Sequence, residues 1–456
     1  MKEQGNPPAS VLERYASRAV PRYTSYPTAP HFTSEFPSAT YARWLRALDT
    51  DEAVSVYFHV PFCRQMCWYC GCNRQLVARE EPVAQYVAYL HREIALVRSS
   101  LPARMPVSHL HWGGGTPTAL PVRDFESLMN DAFEAFDFRT GAEIALESDP
   151  RTLTDEMIAL VGRLGFNRAS FGVQEFDPRV QQAINRIQPP EMVAHAVNGL
   201  RSAGVSAINF DLIYGLPFQT TQSLLRTITQ CLELRPDRIA LFGYAHVPWM
   251  AKNQRMIPEE ALPDGPARAE QAAAAAAALS AAGYQAIGLD HFALPGDSLA
   301  VAAREGQLHR NFQGYTTDSA RTMISLGVTA IGRTPEGIVQ NHAGNSAWMA
   351  AIDRNELPVA KGIAFTADDK LRGEVIERLM CAGTVNTAQI GQRHGRSADW
   401  DIAERETLSE MMADGLVRID GNRITITDAG LALSRVIASV YDAYLESGKA
   451  RHSVAL

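Results

Sequence analysis

Cysteines form the densest group of reactive side chains in this 456-residue chain, which has six of them in all. Cys63, Cys67 and Cys70 have the spacing Cys-x3-Cys-x2-Cys, and Cys72 follows two positions later. Cysteine thiolates ligate the irons of iron–sulfur clusters, so three of them on one tight loop can hold three irons of a [4Fe-4S] cube. The fourth iron is then open to a ligand that the protein does not supply.

The same four residues are compatible with other sites. Zinc can be closed in by four cysteines, although structural zinc sites usually pair two separated Cys-x2-4-Cys clips and the remaining Cys231 and Cys381 are isolated. Cys72 can also complete a closed electron-transfer cluster. A disulfide framework is the least favoured reading, because a chain of this length does not need staples to fold. The residue types alone leave these alternatives open.

The elements that must position the cysteine loop alternate between short apolar runs and amphipathic helical segments. Strands are predicted at 54–60, 107–112, 143–147, 168–174, 207–214 and 238–244. Helices are predicted at 83–101, 124–136, 155–164 and 222–234. This alternation indicates a parallel sheet covered by helices, with six units where a closed barrel has eight. Ligands are expected at the carboxyl ends of the strands, at or near which Glu147, Gln174, Asp211 and Ala245 stand.

The flanking segments have different patterns. Residues 1–50 are predicted to form an N-terminal arm, 51–300 the barrel, 301–364 a barrel extension and linker, and 365–456 a mostly helical C-terminal domain. The alanine run at 272–278 predicts a helix that ends before Gly283, and 284–292 an edge strand. Alternating residues around Asp420-Gly421-Asn422 predict a hairpin, which with its neighbouring helices is similar to a winged helix.

The overall composition limits the partners. With 46% hydrophobic residues the chain can build a sizeable core, and its net charge of −7 argues against general binding of nucleic acid. No uninterrupted apolar stretch is long enough to span a bilayer, and residues 1–8 lack signal-peptide features. We therefore expect a cytoplasmic protein, a monomer, with neither a membrane nor a nucleic-acid partner.

The cysteine loop resembles the cluster loop of the radical S-adenosylmethionine (SAM) enzymes, in which an aromatic residue, here Tyr69, precedes the third cysteine. The lead-in His59-x-Pro61-Phe62 and the tail Gly71-Cys72-Asn73 are similar to those of the oxygen-independent coproporphyrinogen III oxidase family, as are segments 21–28 and 311–317. This resemblance, which extends along nearly the whole chain, implies an α/β fold. The implied fold is a partial (β/α)6 radical SAM barrel with an N-terminal arm and a helical, winged-helix-like C-terminal domain.

The resemblance also implies roles for individual residues. The cluster ligands would be Cys63, Cys67 and Cys70, because the family pattern contains the cysteine at position 72 without using it as a ligand. SAM bound to the cluster would be held by Tyr57, Gly114, Glu147, Ala245 and Ile331. A second SAM molecule would be held by Tyr69, Gly115, Thr116, Gln174, Arg186 and Asp211. For Arg186 the alternative reading is a solvated surface charge on a helix.

The implied reaction is the anaerobic oxidative decarboxylation of two propionate side chains of coproporphyrinogen III to vinyl groups, which gives protoporphyrinogen IX. SAM is cleaved to methionine and 5′-deoxyadenosine, an electron donor protein of unknown identity is required, and no side chain is needed as a general base. The arm is expected either to wrap the surface or to close over the active site, with Arg22 pairing a substrate carboxylate. The competing functions are a radical SAM haem chaperone and a haem-modifying relative.

Overall fold

The computed structural model of the chain describes residues 11, 14, 15 and 17–445. The predictions made for residues 1–8 lie outside this part of the chain. Within it, no helix combines the length and the apolar character that crossing a membrane requires.

Six parallel strands form the centre of the molecule. They are β1 (Val54–Val60), β2 (Pro106–Gly114), β3 (Asp137–Ser148), β4 (Arg168–Gln174), β5 (Ala207–Tyr214) and β6 (Arg238–Gly243). Each strand pairs in parallel with the next, so their carboxyl ends all lie at one edge, which we call the barrel mouth. The predicted six-unit α/β fold is confirmed, and the main difference is that β3 begins six residues earlier than expected.

Helices cover the outer face of these strands. In chain order they are α1 (Ser38–Arg46), α2 (Glu81–Ser100), α3 (Val122–Ala135), α4 (Asp155–Arg163), α5 (Pro178–Ala183), α6 (Pro190–Ser202), α7 (Thr221–Glu233) and α8 (Gly265–Ala281). The last of these is the predicted alanine-rich helix, and Gly283 follows it with a positive φ of 89°. Two helices that were not predicted, α5 and α6, both begin with proline at the first turn, a position where proline is compatible with a helix.

Alternation along the strands separates an apolar outer face from a polar lumen. Successive strand residues point to opposite faces of a sheet. Val56 and Phe58 of β1 and Phe210 of β5 belong to the apolar core under the helices. Tyr57 and Asp211 have the opposite parity and are only partly buried, so the lumen receives the polar side chains that can bind a ligand.

Further strands extend the sheet to thirteen. At one flank, β7 (Gln285–Ile287) and β8 (His291–Ala293) form a hairpin against β6, where a single edge strand was predicted. Helix α9 (Ser298–Glu305) follows. After it, β9 (His309–Asn311) and β10 (Gly314–Thr316) pair with each other in a separate two-stranded sheet. At the other flank β11 (Met323–Leu326) pairs in parallel with β1, and it is continued by β12 (Ile331–Thr334), β13 (Gly337–Asn341), β14 (Val359–Ala364) and the two-residue strand Thr33–Ser34. Helix α10 (Asn345–Asp353) precedes β14.

The C-terminal elements are α11 (Ala367–Ala382), β15 (Thr384–Asn386), α12 (Thr387–Arg393), α13 (Ile402–Ala413), β16 (Val417–Asp420), β17 (Arg423–Ile426) and α14 (Ser434–Ala438). The predicted hairpin is present, because Asp420 pairs with Arg423 around the turn. The core of this region includes three tyrosines of the arm, Tyr15, Tyr23 and Tyr26. The arm therefore packs on the C-terminal helices. The domain boundaries given above stay a prediction.

A network of buried charges closes the end of the barrel opposite the mouth. Arg168 and Arg238 are the first residues of β4 and β6. Asp297, before α9, accepts hydrogen bonds from Arg238 Nε at 2.5 Å and from Arg168 Nη2 at 3.3 Å. Arg168 Nε also donates to Glu143 Oε2 at 2.9 Å. These side chains anchor the segment after the hairpin to the bottom of the barrel.

Candidate active site

The cysteine loop follows β1 directly at the barrel mouth. The two-residue strand Phe62–Cys63 pairs with Gln75–Leu76, which closes the loop at its base. Cys63 Sγ lies 3.7 Å from the hydroxyl of Thr116. The sulfur of Cys67 is buried and accepts hydrogen bonds from Arg151 Nη2 at 3.3 Å and from Arg186 Nη1 at 3.4 Å. Positive charge is therefore placed beside the sulfur of Cys67.

The four thiols of the loop differ in their surroundings. A hydrogen bond from Cys72 lowers the pKa of Cys70 to about 6, which favours the thiolate form that binds iron. Burial raises the pKa of Cys63. Cys72 itself is exposed at the end of the loop. This arrangement is consistent with Cys72 as a neighbour of the ligands.

The three cysteine thiols of the loop are better suited to a [4Fe-4S] cube than to a single metal ion such as zinc. Among the described residues, no three histidine, cysteine or carboxylate side chains converge closely enough to hold one metal ion. A tetrahedral zinc site needs such convergence. In a [4Fe-4S] cube each iron takes its own thiolate, so the sulfurs stand further apart around a larger body. Cys63, Cys67 and Cys70 on one loop fit the cube.

Two residues that the sequence analysis missed hold the backbone of this loop. The side-chain amide of Asn253 donates to the carbonyl oxygens of Cys67, Trp68 and Cys70 at 3.2, 2.9 and 2.9 Å. Gln254 Nε2 donates to the carbonyl oxygen of Tyr69 at 2.7 Å. Both lie in the short 3-10 helix Lys252–Met256, far from the cysteines in sequence. Only the folded chain shows this contact.

We expect Asn253→Ala to loosen the loop and to speed the loss of iron from the reconstituted protein to a chelator by about tenfold, as for other groups that orient metal ligands. Iron release followed by absorbance under anaerobic conditions measures this. The control is Asn130→Ala, which removes an exposed asparagine on α3. Equal release rates for the two variants would contradict the role given to Asn253.

Gly113, Gly114 and Gly115, at the end of β2, form a glycine segment that approaches the loop closely. A Cβ at Gly115 would lie 2.6 Å from the carbonyl oxygen of Phe62, and one at Gly114 would lie 2.6 Å from the ring of His59. Gly114 also has a positive φ of 111°, a conformation that side chains disfavour. The segment is therefore packed against the cysteine loop, and larger residues would displace it.

The residues predicted to hold SAM at the cluster fall into two groups. Glu147 lies beside the glycine segment. Its Oε2 accepts a hydrogen bond from the N–H of Gly114 at 3.1 Å, and its Oε1 lies 3.2 Å from His111 Nε2. Burial opposes its ionisation, but the hydrogen bond and charge of His111 lower the pKa of Glu147. Tyr57 stacks on His111 with ring centroids 5.9 Å apart. These side chains line the lumen together.

Ala245 and Ile331 are placed differently. Ala245 follows β6, and its carbonyl oxygen accepts a hydrogen bond from Gln254 at 3.2 Å. Ile331 begins β12 on the flank of the sheet, and its carbonyl oxygen accepts from the Ser325 hydroxyl at 2.7 Å. Both offer backbone groups more than side-chain chemistry. No signal in the residue types alone would have selected them.

Residues predicted for a second SAM molecule lie near the ends of β4 and β5. Arg186 is 6% exposed and follows α5, so it is neither a surface charge nor a helix residue. Its guanidinium donates to the carbonyl oxygen of Gly172 and, at 3.2 Å, to Asp149. Gln174 ends β4 with a positive φ of 66°, and its Oε1 is buried without a hydrogen-bond partner among the described residues. An unsatisfied buried acceptor of this kind suits a ligand that donates.

Asp211 and Tyr69 complete this group. Burial and the nearby Glu147 carboxylate, opposed by the charge of Arg186, raise the pKa of Asp211 to about 7. Tyr69 packs against the apolar residues around Val180 and Ile184. The structure thus places Thr116 at Cys63 and Arg186 at Cys67, which links this group to the cysteine loop.

The fold and the three-cysteine loop define a radical SAM protein. Residues 57–231 match the model of the Radical SAM superfamily, and residues 365–433 match that of the HemN C-terminal domain. Relatives that align over nearly their whole length identify the family within the radical SAM class. The oxygen-independent coproporphyrinogen III oxidase of Bradyrhizobium diazoefficiens is 49% identical, covering 98% of this chain and 100% of that protein. The chain belongs to the oxygen-independent coproporphyrinogen III oxidase family.

Two further comparisons agree with this assignment. The protein of the same name from Paracoccus denitrificans is 41% identical over 98% of this chain and 99% of its own length. A solved structure described as coproporphyrinogen III oxidase (HemN) from Escherichia coli, a radical SAM enzyme, matches with a TM-score of 0.91 and 37% identity, covering 97% of this chain and 100% of that one. The family predicted from the cysteine loop and its flanks is confirmed.

Proposed function

We propose that this protein converts two propionate side chains of coproporphyrinogen III to vinyl groups without oxygen and so forms protoporphyrinogen IX. The observation that carries the proposal is the three-cysteine loop packed on the glycine segment at the mouth of a barrel, in a chain that matches named oxidases from end to end. The radical SAM class implies a [4Fe-4S] cluster and SAM. The named relatives favour this enzyme over a haem chaperone or a haem-modifying protein.

In this proposal Cys63, Cys67 and Cys70 hold the cluster. When bound, the reduced cluster and SAM supply a radical that takes a hydrogen atom from the propionate β-carbon, after which carbon dioxide and one electron leave. Arg151 and Arg186 donate to the Cys67 sulfur and offset its negative charge. The electrons enter from a donor protein and leave to a one-electron acceptor, and neither partner is identified by the site.

The residues around the cluster orient SAM. Glu147 is an ionised carboxylate in the lumen and suits the ammonium or the ribose hydroxyls, while the bare backbone of Gly114 allows close approach. The aromatic ring of Tyr57 lines the lumen beside SAM, and Ala245 and Ile331 offer backbone groups that SAM can contact. Because hydrogen-atom transfer needs aligned atoms and no proton acceptor, these residues act by positioning and by excluding water.

We further propose that a second SAM molecule binds at Tyr69, Gly115, Thr116, Gln174, Arg186 and Asp211. The unsatisfied Oε1 of Gln174 supports this, since it can accept a hydrogen bond from a ligand. Asp211 can pair with an ammonium once it is ionised. The monomeric state and the cytoplasmic location expected from the sequence stay predictions.

The proposal for Asp211 predicts a pH dependence. Because the pKa of Asp211 is about 7, its ionised fraction rises with pH across that value. We expect the affinity for the proposed second SAM molecule to rise by about tenfold from pH 6 to pH 8. Anaerobic calorimetric titration of the reconstituted protein measures this affinity. In Asp211→Asn the rise is expected to disappear, and a wild-type affinity that is constant over this range would contradict the assignment.

The proposed activity is tested by reconstituting the protein with iron and sulfide without air and supplying a chemical reductant, SAM and coproporphyrinogen III. We expect 5′-deoxyadenosine to form and mass spectrometry to show two successive losses of carbon dioxide with two hydrogens. Haem binding without SAM cleavage would instead support a chaperone. A product that carries an added methyl group would support a haem-modifying enzyme.

A further inference from the structure

Three arginines from distant parts of the chain meet beside the barrel. Arg22 belongs to the arm, Arg310 to β9 and Arg435 to α14. Arg310 Nε donates to the carbonyl oxygen of Arg22 at 3.3 Å, and Arg435 Nη1 donates to that of Val20 at 3.5 Å. The backbone of the arm therefore links the side chains of Arg310 and Arg435, and we call these two residues and Arg22 the arginine cluster.

Two of the three arginines are buried. Arg310 is 9% exposed and Arg435 8% exposed. The guanidinium of Arg310 lies over the ring of Tyr315, 4.4 Å from its centroid. Its Nη1 is buried and has no hydrogen-bond partner among the described residues. A buried charged donor without an acceptor is costly, so such a group indicates an anionic ligand.

Like charges are crowded in the cluster. Burial, together with the charges of Arg22 and Arg310, lowers the pKa of Arg435 to about 10. Such a shift is expected where arginines lie close together. Asp290 is one neighbouring carboxylate, and His291 Nδ1 contacts it at 2.7 Å.

The cluster adjoins the mouth of the barrel on the side of β5 and β6. His291 pairs with Ala240 of β6, and its ring contacts those of Phe242 and Tyr315 at centroid distances of 5.9 and 5.6 Å. The charges of Arg22 and Asp290 also act on Tyr214, the last residue of β5. The cysteine loop follows β1, at the other end of the six-strand series.

We propose that the arginine cluster binds a carboxylate of the substrate, namely a propionate other than the one that reacts, and thereby sets which propionate faces the cysteine loop. This inference rests on the proposed function, which supplies a substrate with several propionates. Arginine is suited to the role because its planar fork binds a carboxylate through two hydrogen bonds. The expectation that Arg22 pairs a carboxylate is thus extended to a site whose buried member is Arg310.

The site can be tested by binding alone. Coproporphyrin III, the oxidised form of the substrate with the same carboxylates, and its tetramethyl ester are titrated into the protein and followed by fluorescence. We expect the wild type to bind the free acid at least about tenfold more tightly than the ester, and Arg310→Met to lose that difference while its affinity for the ester is unchanged. Arg310→Lys, which keeps the charge, should recover part of it. Arg123→Met, at a side chain that is 89% exposed, is the matched control.

Turnover separates this inference from the proposed function. In the reconstituted enzyme, Arg310→Met should raise KM for coproporphyrinogen III by about ten- to a hundredfold. A wild type that cleaves SAM without decarboxylating the substrate would overturn the proposed function. A wild type that is active, with free-acid affinity and KM unchanged in both Arg310→Met and Arg22→Met, would overturn the carboxylate site alone. If Arg310→Met does not fold, Arg22→Met decides, since its side chain is exposed.

Discussion

Replacing Cys67 by alanine should reduce both SAM cleavage and product formation to the background rate. Its buried sulfur is the one that Arg151 and Arg186 contact, and the proposed cube needs a thiolate at each of three irons. We expect the anaerobically reconstituted variant to contain well below about four irons per chain. Iron and sulfide analysis, electron paramagnetic resonance of the reduced protein and chromatography of 5′-deoxyadenosine measure the three consequences.

Cys72→Ala is the matched control for that experiment. Cys72 is exposed and acts on Cys70 through a hydrogen bond without being a proposed ligand, so this variant should keep its cluster and most of its activity. If Cys72→Ala loses SAM cleavage as completely as Cys67→Ala does, then the fourth cysteine is a ligand and the proposed open iron does not exist.

Asp297→Asn should cause the largest loss of stability. Asp297 lies between the buried guanidinium groups of Arg168 and Arg238, and replacing it by asparagine removes the carboxylate that pairs with Arg238 and leaves Glu143 as the partner of Arg168. Removing one partner of a buried ion pair lowers the free energy of unfolding by about 3 to 5 kcal/mol. We expect the free energy of unfolding to fall by this amount, as measured by urea denaturation followed by circular dichroism.

The comparison for this variant is Asp353→Asn, since Asp353 forms an ion pair with Arg92 in which both side chains are largely exposed. Water screens that pair, and its loss should leave the urea midpoint unchanged within error. Similar midpoints for the two variants would show that the buried network adds nothing to stability. An iron content equal to that of the wild type would show that Asp297 acts on the fold and not on the cluster.

The sequence predicted the central strands well because their pattern is local. The bounds of β1, β4 and β5 agree with the predicted ranges, since each is an apolar or alternating run between turn residues. The four strands from Met323 to Ala364 were not predicted. The first of them, β11, pairs with β1 across more than 250 positions, and β12, β13 and β14 continue the sheet from it. Short strands of this kind carry little periodicity of their own.

The candidate active site likewise contains residues that the sequence predicted and residues that only the folded chain brings together. The cysteines were evident from their spacing, because the chemistry needs those thiols close together in sequence, whereas Gly114 and Gly115 were named only by the family resemblance. Asn253, Gln254 and Arg151 were missed, since their residue types are ordinary and their contacts with the loop form only in the folded chain. For Arg186 the resemblance suggested a role, and burial removes the alternative of a surface charge.

The packing of the arm on the C-terminal helices has a consequence for synthesis of the chain. Tyr15, Tyr23 and Tyr26 are synthesised long before Leu371 and Tyr441, which belong to the core that buries them. While the barrel is being synthesised, these aromatic rings have no native surface to cover them. The barrel can collapse as it emerges, but the arm can pack on the C-terminal helices only after Tyr441 has been made, and a ribosome that stalls before that point releases a product with an unattached arm.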